Sequence, residues 1–153
     1  MSEIYVDADA CPVKQEVYRV AERHGLVVHV VSNSGMLVPR HPLIRQMVVQ
    51  EGPDAADDWI VERITPADIC ITADILLAAR CVEKGAMALS PAGKAFDNQS
   101  IGMAVAMRNL KQGLREANQM ESHNPPFTKK DRSNFLNALE SALQALKRRP
   151  PRG

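Results

Sequence analysis

The chain has few aromatic residues and no long apolar run. Its 153 residues include one Trp, two Tyr and three Phe. Nucleic-acid bases stack on aromatic side chains, so this chain offers little for stacking beyond Tyr5, Trp59 and Phe127. The longest apolar runs have the length of a strand, which is too short for a membrane-spanning helix. We therefore expect no membrane partner.

Several common catalytic patterns are also absent. No Ser-His-Asp or Cys-His arrangement stands out, the four histidines lack metal-ligand spacing, and no phosphate-binding glycine loop occurs. The three cysteines form an odd number, and no basic segment with an apolar core resembles a signal peptide. A reducing cytoplasm is the expected location. Cys11, next to Pro12, is expected to be a small buried residue rather than a reactive thiol.

The charge is unevenly distributed along the chain. Residues 1–122 contain 12 basic and 16 acidic residues, whereas residues 123–153 contain seven basic and two acidic ones. An acidic body suits a metal site and a basic C-terminal segment suits a phosphate backbone, although a solvated helix end would also explain the latter. The candidate nucleic-acid-binding residues are Lys129, Lys130, Arg132, Lys147, Arg148 and Arg149.

Short apolar segments alternate with helical patterns through most of the chain. This order predicts an α/β fold, a three-layer domain with a mostly parallel central sheet of about four to five strands. A capping box at Thr128–Asp131 precedes apolar residues at helical spacing, which predicts an amphipathic C-terminal helix docked on the body. We expect a single domain over 1–149, with a body (1–118), a connector (119–127), this helix (128–149) and a frayed tail (150–153).

Acidic residues follow the predicted strands or begin the predicted helices. In a parallel sheet the carboxyl ends of the strands share one edge, so carboxylates placed there converge. Converging carboxylates repel one another unless a cation relieves the charge, and Mg²⁺ or Mn²⁺ takes oxygen ligands. The candidate metal ligands are Asp7, Asp9, Asp57, Asp58, Asp74 and Asp97, of which Asp97 lies in a loop and is the weakest.

Each carboxylate also has a structural interpretation. Asp74 could cap a helix, and Asp57 and Asp58 could favourably occupy the first turn of another. Adjacent helical residues point about 100° apart, so only one of that pair would face a shared site. Thr72 could add a hydroxyl ligand or a hydrogen bond, and Glu16 could reach the same edge.

Four motifs in order resemble the bacterial YaiI/YqxD family. They are Val6-Asp-Ala-Asp-Ala-Cys-Pro-Val13, Ala55-Ala-Asp-Asp-Trp-Ile60, Ile71-Thr-Ala-Asp-Ile-Leu-Leu-Ala78 and Phe127-Thr-Lys-Lys-Asp-Arg-Ser-Asn-Phe135. This family has no known function, and its fold is regarded as similar to that of PIN-domain nucleases. The resemblance implies a PIN-like fold and implicates Asp7, one of Asp57 and Asp58, and Asp74. Asp9 belongs to the family motif, and Asp97 would be a fourth acidic position.

Three functions are consistent with these residues. The first is a Mg²⁺- or Mn²⁺-dependent nuclease, acting on RNA more than on DNA, with Asp7 and Asp74 as catalytic residues. The second is a non-catalytic module that binds nucleic acid or protein. The third is a phosphatase of the haloacid dehalogenase type, suggested by Asp7-Ala-Asp9, although that chemistry places a hydroxyl residue where this chain has Cys11. The oligomeric state is not predicted.

Overall fold

The computed structural model of this chain has a six-stranded sheet at its centre. The structure describes residues 2–8, 11–33, 38, 40–49, 55–97, 101–102 and 128–148. The spatial order of the strands is β3-β2-β1-β4-β5-β6, and all neighbours are parallel except β5 and β6. The strands are β1 (Glu3–Asp7), β2 (Val27–Ser32), β3 (Ile44–Val48), β4 (Ile69–Ile71), β5 (Met87–Leu89) and β6 (Ala95–Phe96).

Helices cover both faces of the sheet, so the domain has three layers. The helices that lie entirely in the described residues are α1 (Lys14–His24), α2 (Ala55–Arg63), α3 (Ile75–Glu83) and α4 (Lys129–Arg148). Side chains of α1 and α4 share one apolar core with Ile4, Val6 and Ile71. Side chains of α2 and α3 share a second core with Tyr5 and Cys70. Successive strand residues point to opposite faces, which explains why Tyr5 and Val6 belong to different cores.

The C-terminal helix begins with the predicted capping box. The Thr128 amide donates to Oδ2 of Asp131 at 3.0 Å, and the Asp131 amide donates to Oγ1 of Thr128 at 3.1 Å. These reciprocal bonds satisfy amides that a helix start leaves without partners. The apolar stripe of α4 is buried in the first core, through Phe135, Leu139, Leu143 and Leu146. The prediction of a docked amphipathic helix is confirmed.

The α/β class, the mostly parallel sheet and the C-terminal helix are also confirmed. The sheet has six strands rather than the predicted four or five, because the two-residue β6 pairs antiparallel with β5. No helix in the described ranges has the length and apolar character needed to cross a membrane. The predicted connector and the tail lie entirely outside the described residues, so the predicted division of the chain stays a prediction.

Candidate functional site

The chain adds strands on one side of β1 first and then, from β4 onward, on its other side. The chain runs outward from β1 to β2 and β3, and β4 then returns to pair with the other side of β1. Ligands of open α/β sheets bind at such a switch point, outside the carboxyl ends of the strands. We call this side of the sheet the carboxyl edge. Asp7 ends β1 there, and Thr72 and Asp74 follow the end of β4.

Thr72 connects the two aspartates at the switch point. Its hydroxyl donates to Oδ2 of Asp7 at 3.0 Å and accepts a hydrogen bond from the amide of Asp74 at 2.9 Å. The side chain of Asp74 in turn caps α3, because Oδ1 accepts from the amide of Leu76 at 2.9 Å. Thr72 is only 1% exposed, so its geometry is held by packing as well as by these bonds. A buried hydroxyl thus joins the carboxylate of Asp7 to the backbone of Asp74.

Asp57 and Asp58, the adjacent acidic residues of α2, have different surroundings, as expected for helical neighbours that point about 100° apart. Asp58 is exposed and forms an ion pair with Arg80, with 2.9 Å between Oδ1 and the guanidinium. Asp57 is half-buried on the same helix, whose residues Ala56 and Ile60 pack in the second core. A hydrogen bond with Cys81 and burial raise the pKa of the Cys70 thiol, and the charges of Asp7 and Asp57 raise it further. Asp57 is therefore the member of the pair that shares a neighbour with Asp7.

A lysine secures the turn between β1 and α1. The ammonium of Lys14 donates to the carbonyl of Ala8 at 3.2 Å and to that of Cys11 at 2.9 Å. The Cys11 side chain is buried, and this burial raises its pKa to about 11, so the thiol is protonated at neutral pH. Cys11 is the small buried residue that its sequence context predicts.

Glu16 lies beside the same turn. Its Oε1 accepts from the Arg132 guanidinium at 3.0 Å, and Arg132 also donates to the Pro12 carbonyl at 3.2 Å. The other carboxylate oxygen, Oε2, is buried and has no hydrogen-bond partner in the described part of the chain. The negative charges of Asp7 and Glu16 both raise the pKa of the Cys11 thiol in this turn.

Asp97 does not reach the acidic centre. It follows Phe96 in β6, and Phe96 pairs with Ala88, so the antiparallel strand carries Asp97 away from the carboxyl edge. Three strand spacings, about 14 Å, separate β6 from β1 across the sheet. Asp97 instead lines a cavity of about 300 Å³ together with Phe96 and Ala142. Asp9 lies outside the described residues.

The residue types at the switch point fit a hard divalent cation in their chemistry. Asp7 and Asp74 offer carboxylate oxygens, and Mg²⁺ commonly takes one or two carboxylates, several waters and a substrate phosphate. Glu16 Oε2 is a further buried oxygen without a partner in the described residues. Among those residues, no group of three or more His, Cys, Asp and Glu side chains is arranged to hold a metal ion. In the conformation of the structure, a metal ion at this edge would therefore have at most two of the described His, Cys, Asp and Glu side chains as ligands.

The candidate nucleic-acid-binding residues divide between the two ends of α4. Lys129 and Lys130 are exposed at its start, which lies at the carboxyl edge because Arg132 contacts Pro12. Lys147 lies at the other end, about 25 Å from Lys130 along the helix axis, where its ammonium donates to Nδ1 of His24 at 2.7 Å. Arg148 ends the same helix, and Arg149 lies outside the described residues.

The sequence did not indicate two of the basic residues at this edge. Lys94 is exposed in the turn after β5, and this turn packs against the backbone of α4 at Asn134. Lys14 is the other, and a lysine at the first position of a helix gives no signal that it reaches back to the preceding loop. We call Lys94, Lys129 and Lys130 the basic rim. Exposed cations thus lie on the same edge as Asp7 and Asp74.

Comparisons with known proteins identify close relatives. The model of a family described as "Uncharacterized BCR, YaiI/YqxD family" matches residues 5–145. A "UPF0178 protein" of Parvibaculum lavamentivorans is 62% identical over 99% of both chains. Relatives from Rhodospirillum rubrum and Gluconobacter oxydans are 56% and 53% identical, over 95% and 97% of this chain and 98% and 85% of theirs. None of these names states an activity.

No solved structure matches the chain. The likeness to PIN-domain nucleases therefore stays a prediction that the sequence motifs imply.

Proposed function

Because the chain belongs to the YaiI/YqxD family, whose description states no activity, we propose a function from the site itself. The proposed function is a nuclease that depends on a divalent metal ion and hydrolyses phosphodiester bonds, in RNA more than in DNA. The observation that supports it is the junction of Asp7, Thr72 and Asp74 at the switch point of a parallel sheet. Ligand sites of α/β domains occur at this position.

In this proposal Asp7 and Asp74 hold Mg²⁺ or Mn²⁺, and Asp57 on α2 is the candidate for a third ligand. Such an ion, when bound, activates a water molecule and stabilises the charge that develops on the phosphate. The protein then needs no nucleophilic side chain, which agrees with a Cys11 thiol that is buried and protonated. Thr72 orients Asp7, and Lys14 holds the turn that follows it.

The basic rim gives the acidic centre a means of attracting a polyanion. Carboxylates alone repel phosphates, so a substrate needs cations close to the centre. Lys94, Lys129 and Lys130 are exposed on the carboxyl edge, and the N-terminus of α3 also points its amides there. Lysine contacts to a phosphate backbone depend strongly on salt, so we expect binding to weaken steeply as ionic strength rises.

A phosphatase of the haloacid dehalogenase type is less well supported. That chemistry would use Asp7 as nucleophile and Asp9 as acid or base, with a hydroxyl residue two places further on. Cys11 occupies that place, and its side chain is only 4% exposed. RNA as the partner and the cytoplasm as the location stay predictions.

The proposal is tested by cleavage of end-labelled RNA and DNA of varied sequence with Mg²⁺, with Mn²⁺ and with EDTA. We expect cleavage with either metal and none with EDTA. Asp7→Asn and Asp74→Asn should each lower the rate by about a hundredfold or more, because they remove a charged ligand. Asn caps a helix as well as Asp does, so Asp74→Asn should leave α3 intact.

Asp58→Asn is the matched control, since it makes the same substitution at an exposed aspartate that pairs with Arg80 instead. It should keep the wild-type rate. Absence of metal-dependent cleavage on every substrate would refute the proposal, as would wild-type rates in both site variants. Salt-sensitive binding without turnover would favour the non-catalytic module.

A further inference from the structure

The exposed large apolar side chains of the described residues cluster at the carboxyl edge. They are Met47, Val48 and Leu76, with exposures of 37%, 40% and 52%. A single exposed apolar residue is ordinary on a protein surface. Here Met47 and Val48 end β3, whose carboxyl end shares the edge with that of β1, and Leu76 lies in the first turn of α3. Their common position beside the acidic centre is the feature that needs a reason.

Sheet register places Met47 level with Asp7. Asp7 pairs with Val31 in β2, and Val31 pairs with Met47 in β3, so the three residues form one row across the sheet. Two strand spacings, about 10 Å, separate the first from the last. Residues paired in this way point to the same face, and Val31 belongs to the core under α2 and α3. Met47 therefore flanks Asp7 on the face that also holds Asp57.

Leu76 flanks the centre on its other side. Its amide is bound by Oδ1 of Asp74 at 2.9 Å, and its side chain is more than half exposed. β4 and α3 lie on the opposite side of β1 from β2 and β3. The two aspartates of the switch point thus lie between an exposed thioether and an exposed isobutyl group.

We propose that Met47 and Leu76 bind the faces of unpaired bases on the two sides of the phosphate that lies at the acidic centre. This inference rests on the proposed function and deepens it, because it makes the substrate a single strand. The lysines of the basic rim on the same edge complement a phosphate backbone, which selects nucleic acid over a neutral apolar partner. A methionine sulfur packs well against aromatic rings, and a base face is such a ring.

A duplex cannot use these contacts. Its base faces are stacked on one another inside the helix, and exposing them costs unstacking free energy. A single strand offers the same faces without that cost. The basic rim would bind the phosphates of either form, so the apolar residues are the part of the edge that distinguishes them.

The test measures binding of fluorescent RNA by anisotropy. Two conditions prevent cleavage: wild-type protein with EDTA, and Asp7→Asn protein with Mg²⁺. In each background, Met47→Ser and Leu76→Ser should weaken binding of single-stranded RNA by about three- to tenfold. Binding of the matching duplex and of inorganic polyphosphate, which has no bases, should stay within twofold.

Val48→Ser is the matched control, because Val48 is the next residue of β3, is equally exposed and points to the opposite face. It should leave all three affinities unchanged. Unchanged single-strand binding in Met47→Ser and Leu76→Ser would overturn the inference, as would equal losses for polyphosphate. A change of oligomeric state in either variant, measured by light scattering, would assign these side chains to a contact between copies and also overturn it.

The cleavage assay decides the nuclease proposal separately. If the protein cuts RNA while Met47→Ser and Leu76→Ser bind single strands normally, only the base contacts are refuted. If neither background binds single-stranded RNA, the base contacts are refuted whatever the cleavage assay gives.

Discussion

At the scale of single residues, Thr72 has the most influence on the geometry of the acidic centre. One hydroxyl donates to Asp7 and accepts from the Asp74 amide, so it sets the distance between the two positions. A buried hydroxyl with both of its bonds made is stable, and removing it leaves its partners without bonds. In the proposed metal site Thr72 is therefore a positioning residue, because it would act on the metal ion only through Asp7.

Thr72→Val should show this role, because valine keeps the shape and loses the hydroxyl. We expect the free energy of unfolding to fall by about 1–3 kcal/mol, as two hydrogen bonds are lost at a buried position. Affinity for Mn²⁺, measured by calorimetry, should fall by about tenfold or more. Thr72→Ser restores the hydroxyl and should recover most of the affinity. Equal affinity in Thr72→Val and wild type would show that the hydroxyl does not position Asp7.

At the scale of elements, the close contact between the turn after β5 and α4 determines where the basic rim lies. Gly93 has φ +88° in this turn, and a Cβ on it would lie 2.6 Å from the carbonyl oxygen of Asn134. No side chain fits there without moving backbone. The absence of a side chain lets the turn, and with it Lys94, approach the start of α4.

Gly93→Ala should lower the free energy of unfolding by about 2–4 kcal/mol, measured by urea denaturation. The left-handed φ contributes about 1–2 kcal/mol and the clash with Asn134 contributes the rest. Gly25→Ala separates the two effects, because Gly25 has φ +66° and nothing within 4 Å of a new Cβ. It should cost only the first amount. Similar losses in both variants would mean that α4 can move away from the turn without cost.

The elements also show what the sequence could and could not predict. Strand ends and helix caps are local, so the positions of Asp7 and Asp74 and the capping box of α4 were predictable. The choice between Asp57 and Asp58 depends on how α2 is rotated against the sheet, which packing decides. The position of Asp97 away from the carboxyl edge could not be predicted, because the two-residue β6 that reverses the chain direction is too short for a periodic pattern.

At the scale of the whole molecule, the carboxyl edge gathers most of the features that a phosphodiesterase needs. Acidic residues lie at the switch point, the basic rim lies beside them, and exposed apolar side chains flank them. Of the described basic residues of α4, those at its start lie at the carboxyl edge. The helix is about 30 Å long, so Lys147 near its end lies far from this edge. A net charge of +1 hides this arrangement.

The central claim is that Asp7 and Asp74 form a divalent metal site. The most direct test is anomalous diffraction from crystals grown with Mn²⁺, with Asp7→Asn crystals as the control. We predict an anomalous peak between the carboxylates of Asp7 and Asp74 that is absent from the variant. Saturating Mn²⁺ with no peak at the carboxyl edge, or with a peak only at Asp58 or Asp97, would contradict the account.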